Sequence, residues 1–111
     1  MFFNAKSGRE MSSEDFQKAF LERPQTLEII DVREKGEFAE IRIRGSKNLP
    51  LSGLSGDTKE IDWSKEVVFV CRSGSRSLRV TYAFADLKKN GKNLAGGIAR
   101  LAEKFPGCLE G

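Results

Sequence analysis

Val67-Val68-Phe69-Val70-Cys71-Arg72-Ser73-Gly74-Ser75-Arg76-Ser77 is the stretch on which the reading of this chain turns. Its first five residues, Val67 to Cys71, are apolar without a break, as expected of a strand covered on both faces in a parallel sheet. The run then becomes small and polar at once. Beyond it, Leu78 to Asn90 carries Leu78, Tyr82, Ala85 and Leu87 as an apolar helical stripe, with Gly91 placed to end the helix as its C′ residue. A buried strand, a tight loop and a helix in direct succession predict an α/β fold, in which ligands bind just past the carboxyl ends of parallel strands.

Working outward, Ser12 or Ser13 caps a helix with Glu14 and Asp15 in its first turn and Phe16, Ala19, Phe20 and Leu21 at helical spacing, stopping before Pro24. Leu27 to Val32 reads as a second buried strand, and Glu34 to Glu40 as a short helix. Arg33 and Glu37 have i,i+4 spacing and are expected to pair. Asp31, ending its strand, is assigned a structural role rather than a catalytic one. Ser46 to Pro50 is a brief extended segment, Leu51 to Lys59 a loop, and Trp63 a partly buried anchor. Downstream, Asn93 to Ala95 forms a last short strand, Gly96-Gly97 a turn, and Ile98 to Phe105 a closing helix cut off by Pro106. No repeat or linker divides the chain, so residues 1–111 are expected to form one domain large enough to fold without a disulfide or metal.

Composition narrows the function. Nineteen basic and 16 acidic residues are mixed along the sequence for a net charge of +3, which argues against a dedicated nucleic-acid or membrane surface. There is no histidine, which closes off the Ser-His-Asp triad, the Cys-His dyad and His-ligated zinc. Neither a dinucleotide-binding nor a P-loop glycine pattern is present, so no cofactor is expected, and no metal. The N-terminus lacks an apolar run of signal-peptide length, and no stretch approaches the ~20 apolar residues of a membrane span, so the expectation is a soluble, cytoplasmic protein. Two cysteines are too few for a secreted disulfide scaffold. Cys108 is expected to be an incidental thiol on a mobile tail, and Arg42 and Arg44 plain solvated surface.

Cys71 is the candidate nucleophile. It closes a buried strand and opens a loop whose glycine and serines let backbone N–H groups converge, with a helix N-terminus behind them, an arrangement that stabilises an anion. Arg72 and Arg76 add permanent positive charge, so the thiolate is expected to be favoured without any histidine.

Taken together, three motifs resemble the rhodanese-like sulfurtransferases. Ile30-Asp31-Val32-Arg33-Glu34 with Glu37-Phe38 and Ile43-Arg44-Gly45-Ser46-Lys47-Asn48-Leu49-Pro50 is similar to the family's first signature. Val67 to Ser77 resembles its active-site strand and loop, and Leu94-Ala95-Gly96-Gly97-Ile98 its C-terminal motif. Ile41-Arg42-Ile43 stands where the family usually has Gly-His-Ile, and Leu101 where an aromatic commonly follows the Gly-Gly turn. The resemblance implies a three-layer α/β fold with a five-stranded, mainly parallel sheet flanked by helices. It implies that Cys71 forms a persulfide while Arg72, Ser73, Gly74, Ser75 and Arg76 cradle the sulfur and an anionic donor. The partners implied are thiosulfate or a similar small anion as donor, and cyanide, a thiol or a protein as acceptor. Read from its own surroundings, Cys108 has one alternative role, a resolving thiol that accepts the persulfide sulfur from Cys71.

Two other readings share these residues. One is a rhodanese-like module that binds or relays sulfur without turnover. The other is a cysteine phosphatase or arsenate reductase of related fold. Four residues separate Cys71 from Arg76, whereas cysteine phosphatases resemble Cys-x5-Arg with histidine before the cysteine, and here Val70 holds that place.

Overall fold

The computed structural model describes residues 8–53 and 59–111; the expectations for residues 1–7 and 54–58 lie outside them. Among the described residues the order is β1 Glu10–Met11, α1 Ser13–Glu22, β2 Leu27–Asp31, α2 Lys35–Glu40, β3 Arg42–Ile43, β4 Lys47–Asn48, β5 Glu66–Val70, α3 Ser75–Asp86, β6 Lys92–Leu94, α4 Gly97–Lys104 and β7 Leu109–Glu110. Strands β1, β6, β5, β2 and β4 lie side by side in that order, parallel at every pairing. The predicted α/β architecture, a five-stranded parallel sheet flanked by helices, is the one adopted.

Alternation along the strands assigns each side chain to a face. Leu27 and Ile29 of β2, with Val68 and Val70 of β5, join Phe16, Ala19 and Phe20 of α1 and Ile98 and Leu101 of α4 in one core. Ile30 and Val32, with Val67, Phe69 and Cys71, join Val80 and Phe84 of α3 in the other. Each fully buried phenylalanine, such as Phe16 or Phe69, stabilises the fold by roughly 1.5–3 kcal/mol through its apolar area. Trp63 is the expected anchor: its ring packs 5.4 Å from Phe84 and 6.2 Å from Phe69, centroid to centroid. The Ser12 side chain caps α1 by accepting the Asp15 N–H at 3.0 Å.

Helix α3 departs from the expected stripe. Ser77, Val80, Thr81 and Phe84 face the sheet, while Tyr82 and Leu87 are exposed. The helix also begins at Ser75, and its C-terminal left-handed residue is Lys88, with φ +63°, rather than Gly91. Gly91 serves a close approach: a Cβ there would stand 2.7 Å from Cε2 of Phe69.

The C-terminus also corrects an expectation. β7 pairs antiparallel with β3, matching Ile43 to Leu109 and Arg42 to Glu110. Cys108 is buried in the α1–α4 core rather than carried on a tail, and burial pushes its thiol up, against the nearby Arg44. Arg44 is exposed, as expected, and Arg42 half-buried, yet both are engaged by the C-terminal segment. Arg42 bonds Glu110 at 3.1 Å and lies over the Phe38 ring, while Arg44 donates to the Gly107 carbonyl at 2.7 Å and lies over Phe20. No helix among the described residues is long and apolar enough to cross a membrane.

Candidate active site

Strand β5 sits at the centre of the sheet, so Cys71, the residue after it, emerges between β2 and β6. The chain from β2 leads on to β4 at one edge, and the chain from β5 to β6 on the opposite side. Where neighbouring connections part in this way, a crevice opens past the strand ends. The chain turns there at Gly74, whose φ of +102° would strain an L side chain and whose Cβ would stand 3.2 Å from the Gly96 nitrogen.

Helix α3 begins directly after this turn, so Ser75, Arg76 and Ser77 supply first-turn N–H groups with no carbonyl partner inside the helix. Cys71 Sγ accepts from the Gly74 N–H at 3.1 Å, the Ser77 N–H at 3.4 Å and the Ser77 hydroxyl at 3.2 Å. Burial pushes the thiol up, but the Ser77 hydroxyl and the N–H groups of Ser77, Gly74 and Ser73 outweigh it and hold Cys71 below the ordinary thiol range. Hydrogen-bond donors rather than the arginines carry this effect, which differs from the expectation.

The loop is held from beneath by α4. Ile98 N–H donates to the Cys71 carbonyl at 3.0 Å and Ala99 N–H to the Arg72 carbonyl at 2.9 Å. Those carbonyls thus satisfy the orphan donors at the start of α4, while N–H groups of the same loop turn to the sulfur. Gly97 permits the approach: a Cβ there would come within 2.5 Å of the Cys71 oxygen.

The predicted arginines fall in different places. Arg72 is exposed, as are Ser73 and Ser75. Arg76 reaches across to α2 and grips Glu37 with both terminal nitrogens, at 3.0 and 3.1 Å. The Arg76 guanidinium holds the Glu37 carboxyl down to about 2. Glu37 therefore pairs with Arg76, and the pair with Arg33 expected from i,i+4 spacing does not form. Arg33 precedes the helix, outside i,i+4 geometry, and is buried against Asp31, its terminal nitrogen 2.7 Å from the Asp31 carboxylate. Asp31 also accepts the Arg33 N–H at 3.0 Å, which agrees with its structural assignment.

Three neighbours of the site escape a reading of the sequence. Ser77 Oγ also donates to Asn93 Oδ1 in β6, and Asn93 Nδ2 donates to Glu10 Oε1 in β1 at 2.9 Å. The one available signal is the third helical position after Gly74, whose N–H and side chain both reach back toward the cap; nothing local marks Asn93 or Glu10. An open cleft of about 240 Å³ adjoins the outer side of the loop, lined by Glu10, Ser73, Gly74, Ser75, Asn93 and Gly96. Cys71 itself is only 1% exposed, which keeps a bulky electrophile from its sulfur.

The model of the rhodanese-like domain family matches residues 12–104. The chain is 34% identical over 101 residues to "Uncharacterized protein YqhL" of Bacillus subtilis (strain 168), covering 87% of this chain and 75% of that one. It is 33% identical over 81 residues to "Putative sulfurtransferase YtwF" of the same organism, covering 73% and 79%. Among solved structures, a rhodanese-related protein from Thermoplasma volcanium superposes with a TM-score of 0.78 at 26% identity, over 87% of this chain and 93% of that one.

Proposed function

This chain belongs to the rhodanese-like domain family, and from that premise we propose that it is a sulfurtransferase carrying one sulfur atom from thiosulfate, or a similar small anionic donor, to a thiophilic acceptor. The observation that carries the reading is the set of donors around Cys71 Sγ, from Gly74 and Ser77, which favour a sulfur anion in a pocket too closed for a large reactant.

Chemistry follows from that cradle. The Cys71 thiolate attacks the outer sulfur of thiosulfate; a bond from Sγ to that sulfur forms, the bond to the sulfonate sulfur breaks, and its electron pair departs with sulfite. Sulfite is a stable anion and needs no general acid, which suits a chain without histidine. The persulfide anion then rests among loop N–H groups, those of Ser75 and Arg76 included, which cannot compete as nucleophiles. Cyanide or a thiolate attacks the outer sulfur, a bond to it forms, and the pair of the breaking S–S bond returns to Sγ. Arg72 at the rim, together with Ser73 and Ser75, meets the donor's anionic end. The cycle needs Cys71 as a free thiol, a state that a reducing compartment such as the cytoplasm preserves.

Incubating the reduced protein with thiosulfate should add the mass of one sulfur, and cyanide should remove it as thiocyanate. The Cys71→Ser protein should take up none. An unchanged mass in wild-type protein with Cys71 shown to be reduced beforehand overturns the reading.

A further inference from the structure

Ser77 presents one hydroxyl proton to two acceptors, Cys71 Sγ at 3.2 Å and the side-chain oxygen of Asn93, and all three residues are buried. The orientation of the Asn93 amide is fixed by chemistry. A carboxylate only accepts, so the NH2 group must face Glu10, 2.9 Å away, and the oxygen must face Ser77. An acceptor aimed at the Ser77 hydroxyl therefore competes with the sulfur for its proton.

We propose that Asn93, held by Glu10, is a positioning residue that sets the ionisation of Cys71 by competing through Ser77 for a single hydroxyl proton. While Cys71 is a neutral thiol, its S–H donates to Ser77 Oγ and the hydroxyl donates to Asn93. When Sγ loses its proton the hydroxyl turns to the sulfur, and the Asn93 oxygen gives up its donor. No bond between heavy atoms changes; one proton rotates about the Ser77 Cβ–Oγ bond. The lost Asn93 bond sets a cost on the thiolate, so the sulfur is less ionised than the Ser77 hydroxyl and the N–H cradle would make it without Asn93. The same rotation gives Sγ its donor whenever it carries charge and withdraws it when transfer shifts that charge to the outer sulfur of the persulfide. That last consequence rests on the sulfurtransferase reading; the effect on ionisation does not.

Other charged groups face this region from neighbouring elements: Arg76 of α3 paired with Glu37 of α2, and Asp31 of β2 closed on Arg33. All are unchanged in the experiment. Thiolate absorbance is followed against pH, with Cys71→Ser protein as the blank, so no reagent has to enter the pocket. Asn93→Leu, similar in shape but without the acceptor, should raise the thiolate fraction well below the midpoint by roughly threefold to tenfold, the midpoint itself falling by about half to one on the pH scale. Ser77→Ala should move the midpoint the other way. In a Ser77→Ala background, Asn93→Leu should do nothing further, because its route to the sulfur is gone.

An unchanged or raised midpoint in Asn93→Leu, or an equal effect with and without Ser77, overturns the proposal. Should Asn93→Leu not fold, Glu10→Gln in the same cycle decides the question. It frees the amide to turn its NH2 toward Ser77, so its lowering of the midpoint should shrink when Ser77 is alanine; a change of the same size in both backgrounds is that of a bare charge and overturns the relay. Sulfur uptake by mass is scored separately, so a protein that takes up no sulfur still answers whether Asn93 acts on Cys71.

Discussion

Glu37 shows how one carboxylate can restrain the site without touching the sulfur. It engages both terminal nitrogens of Arg76, and its Oε1 also accepts the Glu34 N–H at 3.1 Å, tying the start of α2 to the start of α3. The arginine is thereby kept near Cys71 with much of its charge balanced. Glu37→Gln should leave that charge uncompensated, lowering KM for thiosulfate by about two- to fivefold, with a steeper salt dependence. A KM that rises, or one insensitive to salt, contradicts this. The same residue makes a prediction about acid. Its folded value of about 2 lies below the ordinary 4.5, so across that interval the unfolded chain binds more protons than the folded one. The stability it contributes is present above 4.5 and is lost as pH falls toward 2. With both side chains 32% exposed, solvent screening keeps that contribution under about 1 kcal/mol. Urea titrations should find wild type slightly more stable than Glu37→Gln at neutral pH and equal to it at the acid end.

Helix α4 decides whether the loop around Cys71 keeps its form. Its first turn reaches the Cys71 and Arg72 carbonyls only because Gly97 has no side chain and a φ of +59°. Gly97→Ala would set a Cβ 2.5 Å from one of those oxygens and 2.6 Å from the other, and backbone on both sides has little room to yield. The substitution should cost roughly 2–4 kcal/mol, combining strain at positive φ with lost hydrogen bonds. Sulfur uptake should fall more than stability does, because the loop carbonyls would lose the partners that aim the opposite N–H groups. Denaturant midpoints and the persulfide mass test, run below the transition, separate the two effects. At this scale legibility is uneven. The β5 strand and its loop stand out because an apolar run ends abruptly in small polar residues, and the Gly96-Gly97 turn because glycine pairs interrupt helical patterns. The buried face of α3 does not, since hydrophobic spacing selects Leu78 and Tyr82 while the helix turns Ser77 and Thr81 inward. Those polar residues face inward because Ser77 meets Cys71 and Asn93, and Thr81 bonds the Ser77 carbonyl at 2.8 Å.

Across the whole molecule, the elements that close the fold are those with the weakest local signal. β1, β3 and β7 have two residues each, too few for any periodicity, and they exist through partners far along the chain, Glu10 beside Asn93 and Ile43 beside Leu109. The relay behind the sulfur inherits that distance, because Glu10 reaches Asn93 only once β1 has joined the sheet. Closure by β7 has a cost that can be measured. Residues 106–111 bury Cys108, pack Leu109 on the α1–α4 core, and occupy Arg42 and Arg44 through Glu110 and Gly107. Ending the chain at Phe105 removes all of these and leaves β3 unpaired. Loss of the Cys108 and Leu109 burial alone is worth about 2–4 kcal/mol, which in a chain of this size lowers Tm by roughly 10–20 °C. None of the donors to Cys71 Sγ lies in that segment, and neither do the bonds from α4 to its loop. The shortened protein should therefore melt early yet still take up one sulfur at temperatures where it is folded. A Tm within a few degrees of wild type would mean that β7 is an ornament on the sheet; sulfur uptake lost while the fold persists would mean that the C-terminal segment reaches the site by a route other than stability.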